Sequence, residues 1–172
     1  MINLVWLVPL FPLIGFLING LGRNTLSKSV IGVTGCLAVL ASFIVSLGIF
    51  LELNSSDTKS FIVPLFDWIS AGTVKIPFSF MVDPLSALML LIVTGIGFLI
   101  HVYSTGYMSH DAGFGKFFSY LNLFIFFMLL LVLGSNYVIM FIGWEGVGLC
   151  SYLLIGFWFH RLSRTKSAQK AM

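Results

Sequence analysis

Charge is the scarcest property of this sequence. Only 9% of its 172 residues are Asp, Glu, Lys or Arg, against roughly a quarter in an ordinary soluble domain. That is too little to cover a water-facing surface. With 59% hydrophobic residues and a mean hydropathy of +1.06, the chain reads as an integral membrane protein. Its nine basic residues form no run with interleaved aromatics, so nucleic acid is not expected as a partner. Cysteine is almost missing. Cys36 and Cys150 each sit in an apolar stretch, outside any C-x-x-C or Cys/His spacing, and are read as small buried hydrophobes rather than a disulfide or metal pair. No glycine-rich dinucleotide turn, phosphate-binding loop, iron–sulfur cysteine cluster or mid-membrane histidine pair occurs. No redox centre is therefore expected in the chain itself. The N-terminus lacks the basic stretch of a cleavable signal, and its apolar run continues to Leu21, which reads as a retained first span.

What is present is a set of long apolar runs. Their limits predict five spans at about 2–21, 30–51, 85–108, 117–133 and 137–159. Pro9 and Pro12 lie in the first span, where a neighbouring helix must satisfy any carbonyl they free. In the second, Gly32, Gly35, Ala38 and Ala41 form a small-residue stripe suited to close helix approach. Between spans two and three the periodicity switches from helical to two. Val74, Ile76, Phe78, Phe80 and Val82 alternate with more polar residues, and Ser60–Phe66 reads as a partner strand with Ser70-Ala71-Gly72 near the turn. Pro64 and Pro77 suit edge positions. Asp83 and Pro84 suit the cap and first turn of span three, and Gly134-Ser135-Asn136 breaks spans four and five apart. The predicted fold is an all-α membrane protein with a small extramembrane β-hairpin at about 58–82. Five spans put Arg23, Lys28, Lys116, Arg161, Arg164, Lys166 and Lys170 on one side and only Lys59 and Lys75 on the other. This asymmetry predicts the N-terminus and hairpin outside and the basic tail inside.

One carboxylate stands alone in this apolar chain. Glu145 lies nine residues past Asn136, roughly 13–14 Å into the bilayer at about 1.5 Å per residue. A charge at that depth costs from about +2.5 to well over +10 kcal/mol, and such residues face a bundle interior or a water path. Burial there favours the protonated form, and a carboxyl so poised is a proton-relay candidate. Gly143, Gly146 and Cys150 share one face of this helix, while Gly148 and Tyr152 lie nearer the face of Glu145. Trp144 is expected to pack beside the acid. His101, toward the inner end of span three, is the second candidate, as a proton-relay group or a hydrogen-bonded interfacial histidine. His110 and His160 fall in a loop and at a span boundary. Trp6, Trp158, Tyr103, Tyr107, Tyr120 and Tyr137 lie near span ends, as interfacial belts require.

The stretch Gly143-Trp144-Glu145-Gly146-Val147-Gly148-Leu149-Cys150-Ser151-Tyr152-Leu153-Leu154-Ile155-Gly156-Phe157 resembles the signature of subunit L (chain 5 in mitochondria) of proton-pumping NADH:quinone oxidoreductase, respiratory complex I. Gly97–Ser104 with Tyr107-Met108, Leu121–Ile125 and Val82–Ser86 are similar to the same family. The resemblance covers essentially the whole chain as the N-terminal part of an antiporter-like membrane subunit. It implies that Glu145 is the essential acid of the fifth helix, paired with a lysine two helices later and passing protons toward a central hydrophilic axis. It implies other membrane-arm subunits and the lipid bilayer as partners, in the bacterial plasma membrane or the mitochondrial inner membrane. NADH, FMN, iron–sulfur clusters and quinone would be bound by other subunits. Family members are about three times as long, so the partner lysine is not in this sequence, and a truncated or split product inactive by itself is one reading. Subunits of multi-subunit cation/proton antiporters and inorganic-carbon uptake complexes share the acid, but typically continue Trp-Glu-Leu where Gly146 stands here.

Overall fold

The computed structural model describes residues 1–56, 60–71, 74–159 and 162–171. Lys59, Gly72, His160 and Arg161 therefore lie outside the described residues. The order of elements is α1 (Leu7–Leu21), α2 (Lys28–Ser55), β1 (Phe61–Ala71), β2 (Val74–Val82), α3 (Pro84–Tyr107), α4 (Phe114–Leu133), α5 (Tyr137–Ile155) and α6 (Leu162–Ala171), with a short 3-10 turn at Ile2–Leu4 before α1. Five helical stretches, one of them α1 with the turn before it, are long and apolar enough to cross a membrane. Together with the composition, they make this a membrane protein.

The first span begins later as α-helix than its apolar run suggests. Pro9 falls in the first turn of α1, where backbone N–H groups have no helical partner and proline does no harm. Pro12 lies deeper, and its missing N–H leaves the Val8 carbonyl without its usual helical donor. The hydroxyl of Ser42 on α2 takes over that role, donating to Val8 O at 2.7 Å. Ser42 is fully buried and belongs to the buried line Gly32, Gly35, Val39, Ser42, Ser46, Ile49 and Leu53 on α2. This line departs from the expected small-residue stripe after Gly35, because it follows helical periodicity beyond the glycines. Ala38 and Ala41 are only half-buried.

The hairpin is antiparallel, pairing Phe61 with Val82 and Ala71 with Val74. Register shifts at Leu65 and Trp68 give β1 two more residues than β2, as bulges do. Phe80 and Val82 point into the core, as the alternation predicts. The hairpin reaches the α4–α5 turn: Asn136 Nδ2 donates to Pro77 O at 2.9 Å, and Ser135 Oγ donates to Ser79 O at 2.8 Å. Asn136 also caps α5, its Oδ1 accepting from Val138 N and Ile139 N, both at 3.1 Å. Asp83 and Ser86 form a reciprocal capping box at the start of α3. One core therefore joins α1–α5 and the base of the hairpin, from Val8 and Val39 through Leu90 and Leu129 to Ile139.

At the other end of the bundle, α5 stops at Ile155, earlier than the apolar run. Gly156 ends it, and the chain expected as a basic tail forms α6 instead. Ala168 of α6 is buried, beside Gly156, where an added Cβ would lie 3.2 Å from Ala168 Cβ. Trp158 ties the end of α5 to the α3–α4 loop, its indole N–H donating to Asp111 Oδ2 at 2.8 Å. That bond, with the Gly113 N–H on Oδ1, holds the Asp111 carboxyl below the usual carboxylate range.

The proline-relieving hydroxyl gives a direct test. Ser42→Ala leaves a buried carbonyl unpaired and is expected to cost about 1–3 kcal/mol. Ser46→Ala removes only a bond to the Ser42 carbonyl within an uninterrupted helix and should cost less. Unfolding of the detergent-solubilised chain checks the order, and equal losses would contradict it.

Candidate functional site

The rotation of α5 decides where its acid points. Gly143 and Gly146 face α4 at very close range: an added Cβ at Gly143 would lie 2.5 Å from the backbone nitrogen of Leu131, and one at Gly146 would overlap the Phe127 ring. Cys150, one turn further along, is buried on the same face. Small residues let these two helices touch, and the contact turns Glu145 away from α4. Glu145 is exposed on the surface of the bundle. The burial expected for it is not supplied within this chain, because the glycine face is the one that α4 covers. Trp144, 68% exposed, and Phe141, 61% exposed, accompany it.

Together with Tyr137 and Met140, these three residues line a shallow cleft of about 410 Å³. It has aromatic and aliphatic walls and a single carboxylate. Trp144 lines the same cleft as the acid. Among the described residues no basic side chain pairs with Glu145; the one ion pair joins Glu52 to the terminal amine of Met1. Gly148 has open space around it. Tyr152 lies toward the α6 end, lining a smaller cleft with Lys116, Tyr120 and Thr165. Lys116 Nζ sits there over the rings of Tyr120 and Phe159 at 5.5 and 5.8 Å.

His101 is elsewhere. Its side chain is fully buried within the bundle, with Nδ1 2.7 Å from Gly97 O and the ring edge-to-face with Phe118 of α4. Phe118 and Asn122 lie on the α4 face that meets α1–α3, whereas Phe127 and Leu131 meet α5. The two candidates therefore occupy opposite sides of α4 and are not brought together. His110 is exposed in the α3–α4 loop. No group of three His, Cys, Asp or Glu side chains suited to a metal ion occurs among the described residues.

Two buried polar residues escape a search for ionisable groups. Asn19 and Asn122 are both fully buried, and with His101 they hold all the buried side-chain polar atoms that lack a partner among the described residues. The signal in the sequence is an amide within an apolar run, in Ile18-Asn19-Gly20 and Leu121-Asn122-Leu123.

Comparison with known proteins places these observations. Residues 68–118 match the family model described as NADH-ubiquinone oxidoreductase (complex I), chain 5 N-terminus. Residues 134–172, which include Glu145, match that of the NADH:quinone oxidoreductase/Mrp antiporter transmembrane region. NADH-quinone oxidoreductase subunit L of Escherichia coli K12 is 41% identical over 169 residues, 98% of this chain and 28% of that protein. Subunit L of Mycobacterium tuberculosis H37Rv is 44% identical over 170 residues, covering 96% and 26%. Chain 5 of NADH-ubiquinone oxidoreductase from the animal Metridium senile is 46% identical over 170 residues, covering 96% and 28%. The chain belongs to the subunit L/chain 5 family. It spans little more than a quarter of the length of these curated relatives. The second family model is shared with antiporters, so the Glu145 half alone does not separate the two classes.

If the glycine contact sets the rotation of α5 in this subunit L/chain 5 segment, Gly143→Ala should destabilise the chain by about 1–3 kcal/mol, since its methyl meets backbone that has little freedom to move. Gly148→Ala, with open space around it, should stay within about 0.5 kcal/mol. Unfolding in detergent measures both, and a tolerated Gly143→Ala would contradict the packing.

Proposed function

We propose that this chain supplies the first five spans of a proton-translocating membrane subunit of an NADH:quinone oxidoreductase, with Glu145 as its relay acid. The observation that carries the reading is the exposed Glu145 in an apolar cleft on the outer face of α5. A carboxylate does not remain on a lipid-facing surface at this depth without a large cost. The face is suited instead to being covered by further helices, and the relatives are several times longer than this chain. Such helices would exclude lipid and supply the countercharge. The resemblance implies that this countercharge is a lysine. A cation within about 4–6 Å favours the ionised form of the acid, and its withdrawal favours the protonated form. Alternating these two states moves a proton, provided water reaches the acid from each side in turn.

The ends of the bundle support an orientation. Lys28 on α2 donates to Ser109 O in the α3–α4 loop at 2.8 Å, and Lys116, Lys166 and Lys170 belong to this same end, after Ile155 or near the start of α4. The opposite end carries Glu52, Asp83 and the hairpin. By the positive-inside rule the first end faces the cytoplasm or matrix and the hairpin faces outward. Quinone reduction at other subunits drives the cycle, and NADH, FMN and iron–sulfur clusters reside there. The other membrane-arm subunits and the lipid bilayer are this chain's partners, in a bacterial plasma membrane or a mitochondrial inner membrane.

The Mrp antiporter half of the second family model favours one rival, a cation/proton exchanger. A single experiment separates the two. With Glu145→Gln in the full-length subunit within its membrane complex, quinone reduction by NADH should continue while the number of protons moved per electron falls. An unchanged ratio removes Glu145 from the path. Proton movement driven by a sodium gradient and indifferent to NADH would favour the exchanger.

A further inference from the structure

The basic end of the bundle holds a cleft that shares no residue with the Glu145 cleft. It lies between the start of α2 and the end of α3, has a volume of about 350 Å³, and is lined by Lys28, Ser29, Gly32, Val33, Thr105 and Ser109. We propose that it binds an anionic phospholipid, with the phosphate on Lys28 and Ser29 and the upper part of one acyl chain against Gly32 and Val33. Lys28 opens α2 and Ser109 follows the end of α3, so both stand at the boundary of the apolar spans. Gly32, Val33 and Thr105 lie about one turn deeper. The cleft is therefore polar at the membrane surface and apolar below it, the order in which a phospholipid presents headgroup and chain. Gly32 keeps the lower part open: an added Cβ would lie 3.3 Å from Thr105 Cγ2 and 3.6 Å from Phe114 Cζ. Val33 and Leu37, one turn apart on α2, are both more than half exposed and continue an apolar path for the chain.

Hydrogen bonding selects the charge of the ligand. Lys28 Nζ donates one N–H to Ser109 O at 2.8 Å, and an ammonium group has three. Among the described residues no carboxylate pairs with it. Asp111, the acid of this end, feels the charge of Lys28, but its two oxygens already accept from the Gly113 N–H and the Trp158 indole. Lys28 thus keeps two donors and an unneutralised charge at the mouth of the cleft. The exposed hydroxyl of Ser29 is a further donor. The Thr105 and Ser109 hydroxyls donate to the carbonyls of Val102 and Gly106, each at 2.7 Å, so toward the cleft they can only accept. An anionic phosphate beside a hydroxyl-bearing headgroup meets both sets, and phosphatidylglycerol carries both. Basic pockets between spanning helices take anionic headgroups by the same chemistry. The site rests on neither the role of Glu145 nor the orientation of the chain.

Photolabelling of the full-length subunit in its complex, held in phosphatidylcholine nanodiscs, tests this. The probes are phosphatidylglycerol and phosphatidylcholine at equal mole fraction, each with a photoreactive group near the top of one acyl chain. Labelling of the α2 segment around Val33 should favour phosphatidylglycerol by about fivefold, the factor given by roughly 1 kcal/mol for one basic residue at a membrane surface. In Lys28→Gln the preference should vanish. Glutamine keeps a donor for Ser109 O without the charge, and position 28 is exposed, so assembly does not depend on it. Equal labelling by the two lipids in the unmodified complex would overturn the proposal, as would a preference that survives in Lys28→Gln. Absence of labelling, because a protein segment covers the cleft, would overturn it too.

Discussion

The close contact of α4 and α5 is the constraint on which the rest of the site depends. Gly143 rides on the Leu131 backbone and Gly146 on the Phe127 ring, and no larger residue fits either position without displacing them. Because side chains leave a helix about 100° apart, committing these glycines and Cys150 to α4 commits Glu145, Trp144 and Phe141 to the opposite surface. The costly acid is thus not placed by its own interactions. Packing on one face of α5 determines the chemistry available on the other.

The same separation organises the remainder of the bundle. α4 presents Leu131 and Phe127 to α5, and Asn122 and Phe118 to α1–α3. On the inner side the Ser42 hydroxyl satisfies the carbonyl that Pro12 frees. Asparagine-capped α5 is anchored at one end to the hairpin through Asn136 and Pro77. At the other, Trp158 fastens it to Asp111. A helix held at both ends and along one face leaves its remaining face free for other helices to close over.

Much of this architecture is legible in the sequence because a bilayer permits few solutions. Five apolar runs became five spans, and Asp83-Pro84 became a capped helix start. The strand of Val74–Val82 alternates visibly, whereas the pattern in β1 is legible only to Phe66 although the strand runs to Ala71. Bulges at Leu65 and Trp68 shift its alternation and hide its second half. α6 was hidden for a different reason: its polar residues look like a solvated tail, and only Ala168 is buried. The depth of Glu145 follows from residue count, but its direction does not. Gly143, Gly146 and Gly148 look alike in sequence, and only contact with α4 distinguishes the first two from the third. Asn19 and Asn122 do not stand out in the sequence because they carry no charge, although an amide in an apolar run also needs a partner.

A relay acid must exist in both protonation states during turnover. Isotope-edited infrared difference spectroscopy of the full-length subunit in its complex observes this directly through the carboxyl C=O band. The account predicts a band that changes when NADH is added and disappears in the glutamine variant at position 145. A Glu145 carboxyl that keeps one protonation state throughout turnover would contradict it.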